Sequence, residues 1–221
     1  MNGYWYERED IREKLVLFGR AIQGPGPYEV VIEPDQDKCH SACCSFESKR
    51  ITVNPTIFNV SPKEQYLLTK AALVHEAGHR RYTTPTPLPS IISEIFNILE
   101  DERVENRMWE EFIGLRWLIK RLAARFYEEA EPVNKASDMP HAVVSYFLQL
   151  RWAKRIGKPV KGGLSSRNAA LWEKIEPLVY ESWQAESSES VTRNTAKIAE
   201  ILSFNEIIIS NRNNSNRNGG V

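Results

Sequence analysis

Apolar and polar positions alternate with two different periods along the chain, which separates a short β-rich segment from a long helical one. Tyr28, Val30 and Ile32 occupy every second position, the period of a strand with one buried face. A second β-rich stretch covers residues 49–54, and residues 8–21 repeat apolar positions at helical spacing. The segment GPGPY stops this first helix. The pattern therefore predicts a helix followed by a small sheet of two or three strands.

From residue 61 onward the pattern is helical. Ser61 is predicted to cap a helix in which Pro62 suits the first turn and Glu64 closes a capping box. This helix is predicted to end near Tyr82, before the proline-rich segment TTPTPLP, and Ser90 is predicted to cap the next one. The further helices are predicted over residues 91–112, 115–129, 141–155, 168–183 and 191–202.

Composition narrows the class of protein. The 29 acidic residues comprise 24 Glu and five Asp, which favours solvated helices. Because 29 Lys and Arg balance the acids, no net charge attracts nucleic acid or an anionic membrane at long range. The first residues lack the apolar core of a signal peptide, and no run reaches the roughly 18 apolar residues of a membrane helix. We therefore expect a cytoplasmic protein with neither a membrane nor a nucleic-acid partner.

The three cysteines form one cluster. Cys39, Cys43 and Cys44 are an odd number of thiols within six positions, which does not match a disulfide framework. With His40 they offer four metal-binding side chains, but no distant second pair completes a structural zinc site. We interpret the cluster as reduced thiols in a turn between the two strands.

The helix predicted from residue 61 contains the pattern H-E-x-x-H. His75 and His79 lie four residues apart, so both imidazoles project from one helix face and can bind one zinc ion. Glu76 lies beside that face, where a carboxylate can act as general base on a water at the metal. Gly78 permits the close approach of a neighbouring element. The alternative is a helix surface with two solvated histidines, which the preceding apolar run TKAALV disfavours.

A catalytic zinc needs a third protein ligand. The segment NILEDERVE in the next helix offers several acids. Glu100 shares a stripe with Phe96, Val104 and Arg107, which favours it as the inward-facing ligand. Asp101 then suits a hydrogen bond to a ligating histidine or to an arginine. We interpret the two later acids of the segment, Glu102 and Glu105, as exposed.

These motifs resemble a known family. HEAGHRRYT, a proline-rich break and NILEDERVE resemble the gluzincin metallopeptidase domains of minigluzincin type, which occur beside von Willebrand factor A domains in cobalt-chelatase-T-like proteins. The resemblance covers residues 51–111. It implies that His75, His79 and Glu100 are the zinc ligands and that Glu76 is the catalytic acid and base. It also implies a von Willebrand factor A or ATPase partner protein, although residues 203–221 carry neither the acidic linker nor that domain.

The motifs and the resemblance together predict an α+β, zincin-like fold. A small N-terminal sheet packs on the H-E-x-x-H helix, and the C-terminal part is mostly helical. We expect one domain over residues 1–205, followed by a disordered tail over 206–221. The segments of this domain are expected at residues 1–60 for the first helix and the sheet, 61–112 for the two site helices and 113–205 for a helical subdomain.

The predicted function is zinc-dependent hydrolysis of peptide bonds in a peptide or protein substrate. His141, Tyr146 and Tyr82 remain open as the hydrogen-bond donor to the oxyanion of a tetrahedral intermediate. The alternative function is a non-proteolytic interaction module in which zinc braces the fold within a larger assembly. Glu76 counts against this alternative, because a purely structural site does not need a general base.

Overall fold

The computed structural model describes residues 4–26, 28–34 and 42–202, with only the backbone at Ile91. The described chain is α+β and mostly helical, which confirms the predicted fold class. Its helices are α1 (Glu9–Ile22), α2 (Pro62–Tyr82), α3 (Ser90–Glu111), α4 (Arg116–Glu129), α5 (His141–Ile156), α6 (Ser166–Trp183) and α7 (Ser188–Ile201). Its strands are β1 (Glu29–Ile32), β2 (Ala42–Ser45) and β3 (Arg50–Val53). The predicted tail over residues 206–221 lies outside the described residues.

The chain divides into two compact units. The first unit comprises Met1–Pro85, Val104–Glu129 and Arg155–Gly157, and the second comprises Thr86–Arg103, Ala130–Lys154 and Lys158–Val221. The first unit therefore contains the sheet, α1, α2, α4 and the C-terminal third of α3. The second unit contains α6, α7 and most of α5.

The sheet of the first unit has three strands in the order β1-β3-β2. Strand β3 pairs parallel to β1 and antiparallel to β2, with Cys44 opposite Ile51. The prediction of a cysteine-containing turn was wrong at Cys43 and Cys44, because both residues form β2. Cys43 is exposed and Cys44 is half-buried, as the alternation of side chains along a strand requires. Cys39 and His40 lie outside the described residues.

Helix α2 begins at the predicted cap. The Ser61 hydroxyl accepts a hydrogen bond from the backbone N–H of Glu64 at 3.4 Å. Glu64 does not close the predicted capping box. Its carboxylate instead accepts a hydrogen bond from Nε of Arg121 in α4, at 2.5 Å. Ser90 is the first residue of α3 in the structure, where the sequence predicted a cap before the helix.

The central part of α2 is a core helix of the first unit. Leu68, Ala71, Leu73, Val74 and Ala77 are inaccessible to solvent, and they share one hydrophobic cluster with the buried residues of β3. This burial explains why the segment has apolar residues on more than one side, unlike a helix that lies on a surface.

Gly78 brings α2 close to the C-terminal third of α3. A Cβ atom at this position would lie 2.5 Å from Cγ1 of Val104 and 2.9 Å from Cγ of Met108. Such distances are too short for carbon atoms, so only glycine permits this approach. The close approach predicted at Gly78 is thus present, and it positions Glu105, the acid that follows Val104.

The second unit has its own hydrophobic cluster. Phe147 of α5, Ile175 and Trp183 of α6 and Ile198 of α7 are almost completely buried in it. Ser165 and Ser187 cap α6 and α7 by accepting hydrogen bonds from backbone N–H groups. Within the described residues of either unit, no helix is both long enough and apolar enough to cross a membrane.

Candidate metal centre

The two histidines of the motif face one another at the surface of α2. Their Nε2 atoms lie 3.2 Å apart, and their rings meet edge to face with centroids 4.8 Å apart. Both side chains are half-buried, so the pair is neither enclosed in the core nor fully solvated. The four-residue spacing predicted this pairing, because residues one helical turn apart project from the same face.

The other ring nitrogen of each histidine has an oxygen partner. Nδ1 of His75 lies 3.0 Å from Oε1 of Glu105, and Nδ1 of His79 lies 3.0 Å from Oγ1 of Thr83. A carboxylate only accepts, so His75 donates through Nδ1. A neutral imidazole that donates through Nδ1 has its lone pair on Nε2, the atom that faces the other histidine.

This geometry fits two ligands of a zinc ion. Two nitrogens at 2.0 to 2.1 Å from a tetrahedral zinc lie about 3.3 Å apart, close to the 3.2 Å observed. The oxygen partners at Nδ1 are the usual supports of metal-binding histidines, since they fix the tautomer and the ring orientation. The same distance also suits a hydrogen bond between the rings, which requires a proton on one of the Nε2 atoms.

The interpretation of Glu105 and Glu102 as exposed acids was wrong. Glu105 is 6% exposed and Glu102 is 4% exposed. Glu105 follows Val104, whose side chain packs at Gly78, so the contact that draws α3 onto α2 also brings the Glu105 carboxylate to His75. Arg155 lies 3.7 Å from the other oxygen of Glu105 and helps to balance its charge. The sequence pattern missed this role because it assigned the charged run to solvent.

Glu76 lies on the side of α2 that packs against β2. Its side chain is buried, and helix and strand are in contact. Burial raises the pKa of the Cys44 thiol to about 12, and the negative charge of Glu76 is the next largest cause. The carboxylate of Glu76 therefore lies within electrostatic reach of β2, next to the histidine pair on the same helix.

The raised pKa makes Cys44 unreactive in comparison with Cys43. At pH 8 a thiol with a pKa of about 12 has about a thousandfold less thiolate than one at 9.0, and only the thiolate is nucleophilic. We expect iodoacetamide to label exposed Cys43 at least about 100-fold faster than Cys44, measured by peptide mass mapping. Equal labelling rates at pH 8 in folded protein would contradict this placement of Cys44 and Glu76.

Glu100 has protein partners on both of its oxygens. Arg103 donates from Nε to Oε2 at 2.7 Å and from Nη2 to Oε1 at 2.5 Å, and the Ser188 hydroxyl donates to Oε1 at 2.7 Å. The carboxylate is fully buried in the second unit. These contacts form a buried ion pair, and the metal-ligand role that the sequence predicted for Glu100 stays a prediction.

Asp101 has an arginine partner. Arg151 of α5 donates from Nη1 to Oδ2 of Asp101 at 2.7 Å, while Arg103 pairs with Glu100. Asp101 is half-buried, so it is more accessible than Glu100. It precedes Glu105 by four residues and shares its face of α3.

The three residues that the sequence left open as hydrogen-bond donors to the oxyanion have different surroundings. Tyr82, in the first unit, donates its hydroxyl hydrogen to Glu111, and burial followed by this hydrogen bond raises the pKa of the phenol. His141 is exposed at the start of α5. The ring of Tyr146 meets the ring of Trp172 within the second unit, with centroids 5.2 Å apart.

Buried charges occur in both units. Six charged residues of the described chain are buried: Glu76, Glu100, Glu102, Glu105, Arg103 and Arg151. In the second unit, Glu100 and Glu102 are matched by Arg103 and Arg151. In the first unit, Glu105 lies 3.7 Å from Arg155, whose side chain is equally buried.

Three arginines of α4 form hydrogen bonds or ion pairs with other groups of the protein. Arg116 donates to the carbonyl of Trp109 at 2.7 Å, Arg121 pairs with Glu64, and Arg125 pairs with Glu129. These contacts do not favour the basic face of α4 as a surface for nucleic acid.

Comparison with known proteins gives no assignment: no family model, no curated protein and no solved structure matches this chain.

Proposed function

We propose that this protein is a zinc-dependent metallopeptidase of the gluzincin class with a zincin-like fold. The single observation that carries the proposal is the histidine pair, whose Nε2 atoms are 3.2 Å apart while oxygen atoms hold both Nδ1 atoms. A pair of solvated surface histidines needs neither support.

The proposed ligands are His75, His79 and an acid of the segment NILEDERVE, either Glu100, which the family resemblance implies, or Asp101. Asp101 is preferred to Glu100 because it lies one turn before Glu105 on the same helix face, and Glu105 is bonded to His75. Glu100 is committed to Arg103 and Ser188. Two imidazoles and one carboxylate form a ligand set typical of catalytic zinc, with one position left for water.

A zinc ion held by these residues would supply Lewis-acid chemistry, lowering the pKa of a water and polarising the carbonyl of the scissile bond. Glu76 would be the general base toward the attacking water and the acid toward the leaving nitrogen. Glu105 and Thr83 keep the rings of His75 and His79 in the ligating orientation. Strand β2, at one edge of the described sheet, offers backbone groups for pairing with an extended peptide.

The role of Glu105 gives a test. Glu105→Gln removes the charge that orients His75 and raises its basicity, so we expect zinc affinity to fall about 10- to 100-fold. Peptide hydrolysis at limiting zinc should fall in parallel. Zinc affinity is measured by competition with a chromogenic chelator, and hydrolysis with a mixture of quenched fluorescent peptides.

The matched control is Glu110→Gln, which changes an exposed acid of the same helix. It should leave zinc affinity and hydrolysis unchanged. Equal zinc affinities for Glu105→Gln and the wild type would contradict the proposed arrangement of the site.

A further inference from the structure

Arg80 lies one helical turn after Glu76 on α2. Its side chain is half-buried in the first unit. The guanidinium lies over the ring of Tyr28 at 4.3 Å from the centroid, and Nη2 donates to the carbonyl of Pro25 at 3.1 Å. The loop that carries this carbonyl is shaped around the arginine, since a Cβ atom at Gly26 would overlap Nη2.

Arg80 differs from other half-buried arginines of the first unit. Three of these pair with a glutamate: Arg81 with Glu111, Arg121 with Glu64 and Arg125 with Glu129. Within the described part of the chain, Arg80 has no carboxylate partner, and neither Nε nor Nη1 has a hydrogen bond. The guanidinium has two forks, Nε with Nη2 and Nη1 with Nη2, and Nη2 donates only one of its two hydrogens to Pro25. One fork therefore keeps both of its hydrogens for a carboxylate, which accepts two parallel hydrogen bonds.

Arg80 lies near β2, as does the proposed general base Glu76. Glu76 raises the pKa of the Cys44 thiol and Arg80 lowers it, so both charges lie within reach of β2. The ring of Tyr28 contacts the ring of Phe46, which directly follows β2 along the turn, at 6.4 Å between centroids. A peptide paired with β2 would therefore pass both the proposed general base and the guanidinium.

We propose that Arg80 binds a carboxylate of the peptide substrate and makes the peptidase selective for acidic peptides. The carboxylate belongs either to an acidic side chain near the scissile bond or to a free C-terminus. Both present the same planar, doubly accepting group to the guanidinium. This inference rests on the proposed peptidase function, because it assigns a specificity to the same site.

The test uses the full-length zinc-loaded protein and quenched fluorescent peptides in matched pairs. One pair exchanges Glu for Gln beside the scissile bond with an amidated C-terminus, and the other exchanges a free C-terminus for an amide. We expect kcat/KM to be about 10- to 100-fold higher for the carboxylate member of at least one pair, and the pair concerned identifies the source.

Arg80→Gln should reduce this ratio to near one, mainly through KM, and Arg80→Lys should retain part of it. Arg116→Gln is the matched control, because Arg116 also lies over an aromatic ring and donates to a backbone carbonyl. It should leave the ratio unchanged. Thermal unfolding monitors the fold, and if Arg80→Gln fails to fold, the comparison between Arg80→Lys and the wild type decides.

The two proposals fail in different ways. Cleavage of both members of each pair at equal rates by the wild type would overturn the role of Arg80 and leave the peptidase function intact. A preference that persists undiminished in Arg80→Gln would likewise overturn it. If the zinc-loaded wild type cleaves no peptide, the peptidase function fails, and the specificity proposal fails with it.

Discussion

Replacing Glu76 by glutamine should lower peptide hydrolysis by about 10² to 10⁴ while zinc binding and folding remain normal. Glutamine keeps the size of the side chain but removes the base, and general acid-base catalysis accounts for an effect of this size. Glu76 is buried on the side of α2 that faces β2, so its loss should not disturb the histidine pair. The measurement is kcat/KM on quenched fluorescent peptides together with zinc content.

This variant separates an enzyme from a zinc-braced interaction module. If the protein is an interaction module, Glu76→Gln should have the same cellular function as the wild type. Both proteins should then retain zinc and remain folded. Glu110→Gln, at an exposed position of α3, is the control for loss of a glutamate charge. Unchanged function in Glu76→Gln with zinc and fold intact would show that the protein is an interaction module and not a peptidase.

Replacing Asp101 by alanine should weaken zinc binding by more than about 100-fold, because it removes one of three protein ligands. Glu100→Gln should behave differently. It breaks a buried ion pair with Arg103, which costs about 3 to 5 kcal/mol of stability, while the chains that remain folded keep their zinc affinity. Zinc affinity by chelator competition and unfolding by urea measure the two effects separately.

The comparison of these variants decides the third ligand. If Glu100→Gln loses zinc and Asp101→Ala retains it, Glu100 is the ligand that the family resemblance implies, and the proposed assignment to Asp101 is wrong.

The sequence predicted those parts of the fold that depend on local signals. The cap at Ser61, the end of α2 before the prolines and the pairing of His75 with His79 each follow from residues within one or two helical turns. The sequence did not predict β2. This strand has only four residues, two of them cysteines, so its periodic signal is weak. Its strand conformation depends on pairing with β3.

The roles of the acids in α3 depend on contacts that the sequence does not display. A stripe of apolar residues indicates that one face of a helix is buried, but α3 buries acids on more than one face. Glu100 pairs with Arg103 and Ser188, whereas Glu105 meets His75 because Gly78 admits Val104. Ser188 lies 88 positions from Glu100 along the chain, so no local pattern predicts that contact.

Zinc content measured on purified protein tests the central claim most directly. After dialysis against zinc followed by removal of the free metal, the wild type should retain about one zinc per chain, and His75→Ala and His79→Ala should retain almost none. His141→Ala, which changes an exposed histidine of α5, should retain as much as the wild type. A wild type without zinc, or full retention in His75→Ala, would show that the two imidazoles form a hydrogen-bonded pair and not a metal site.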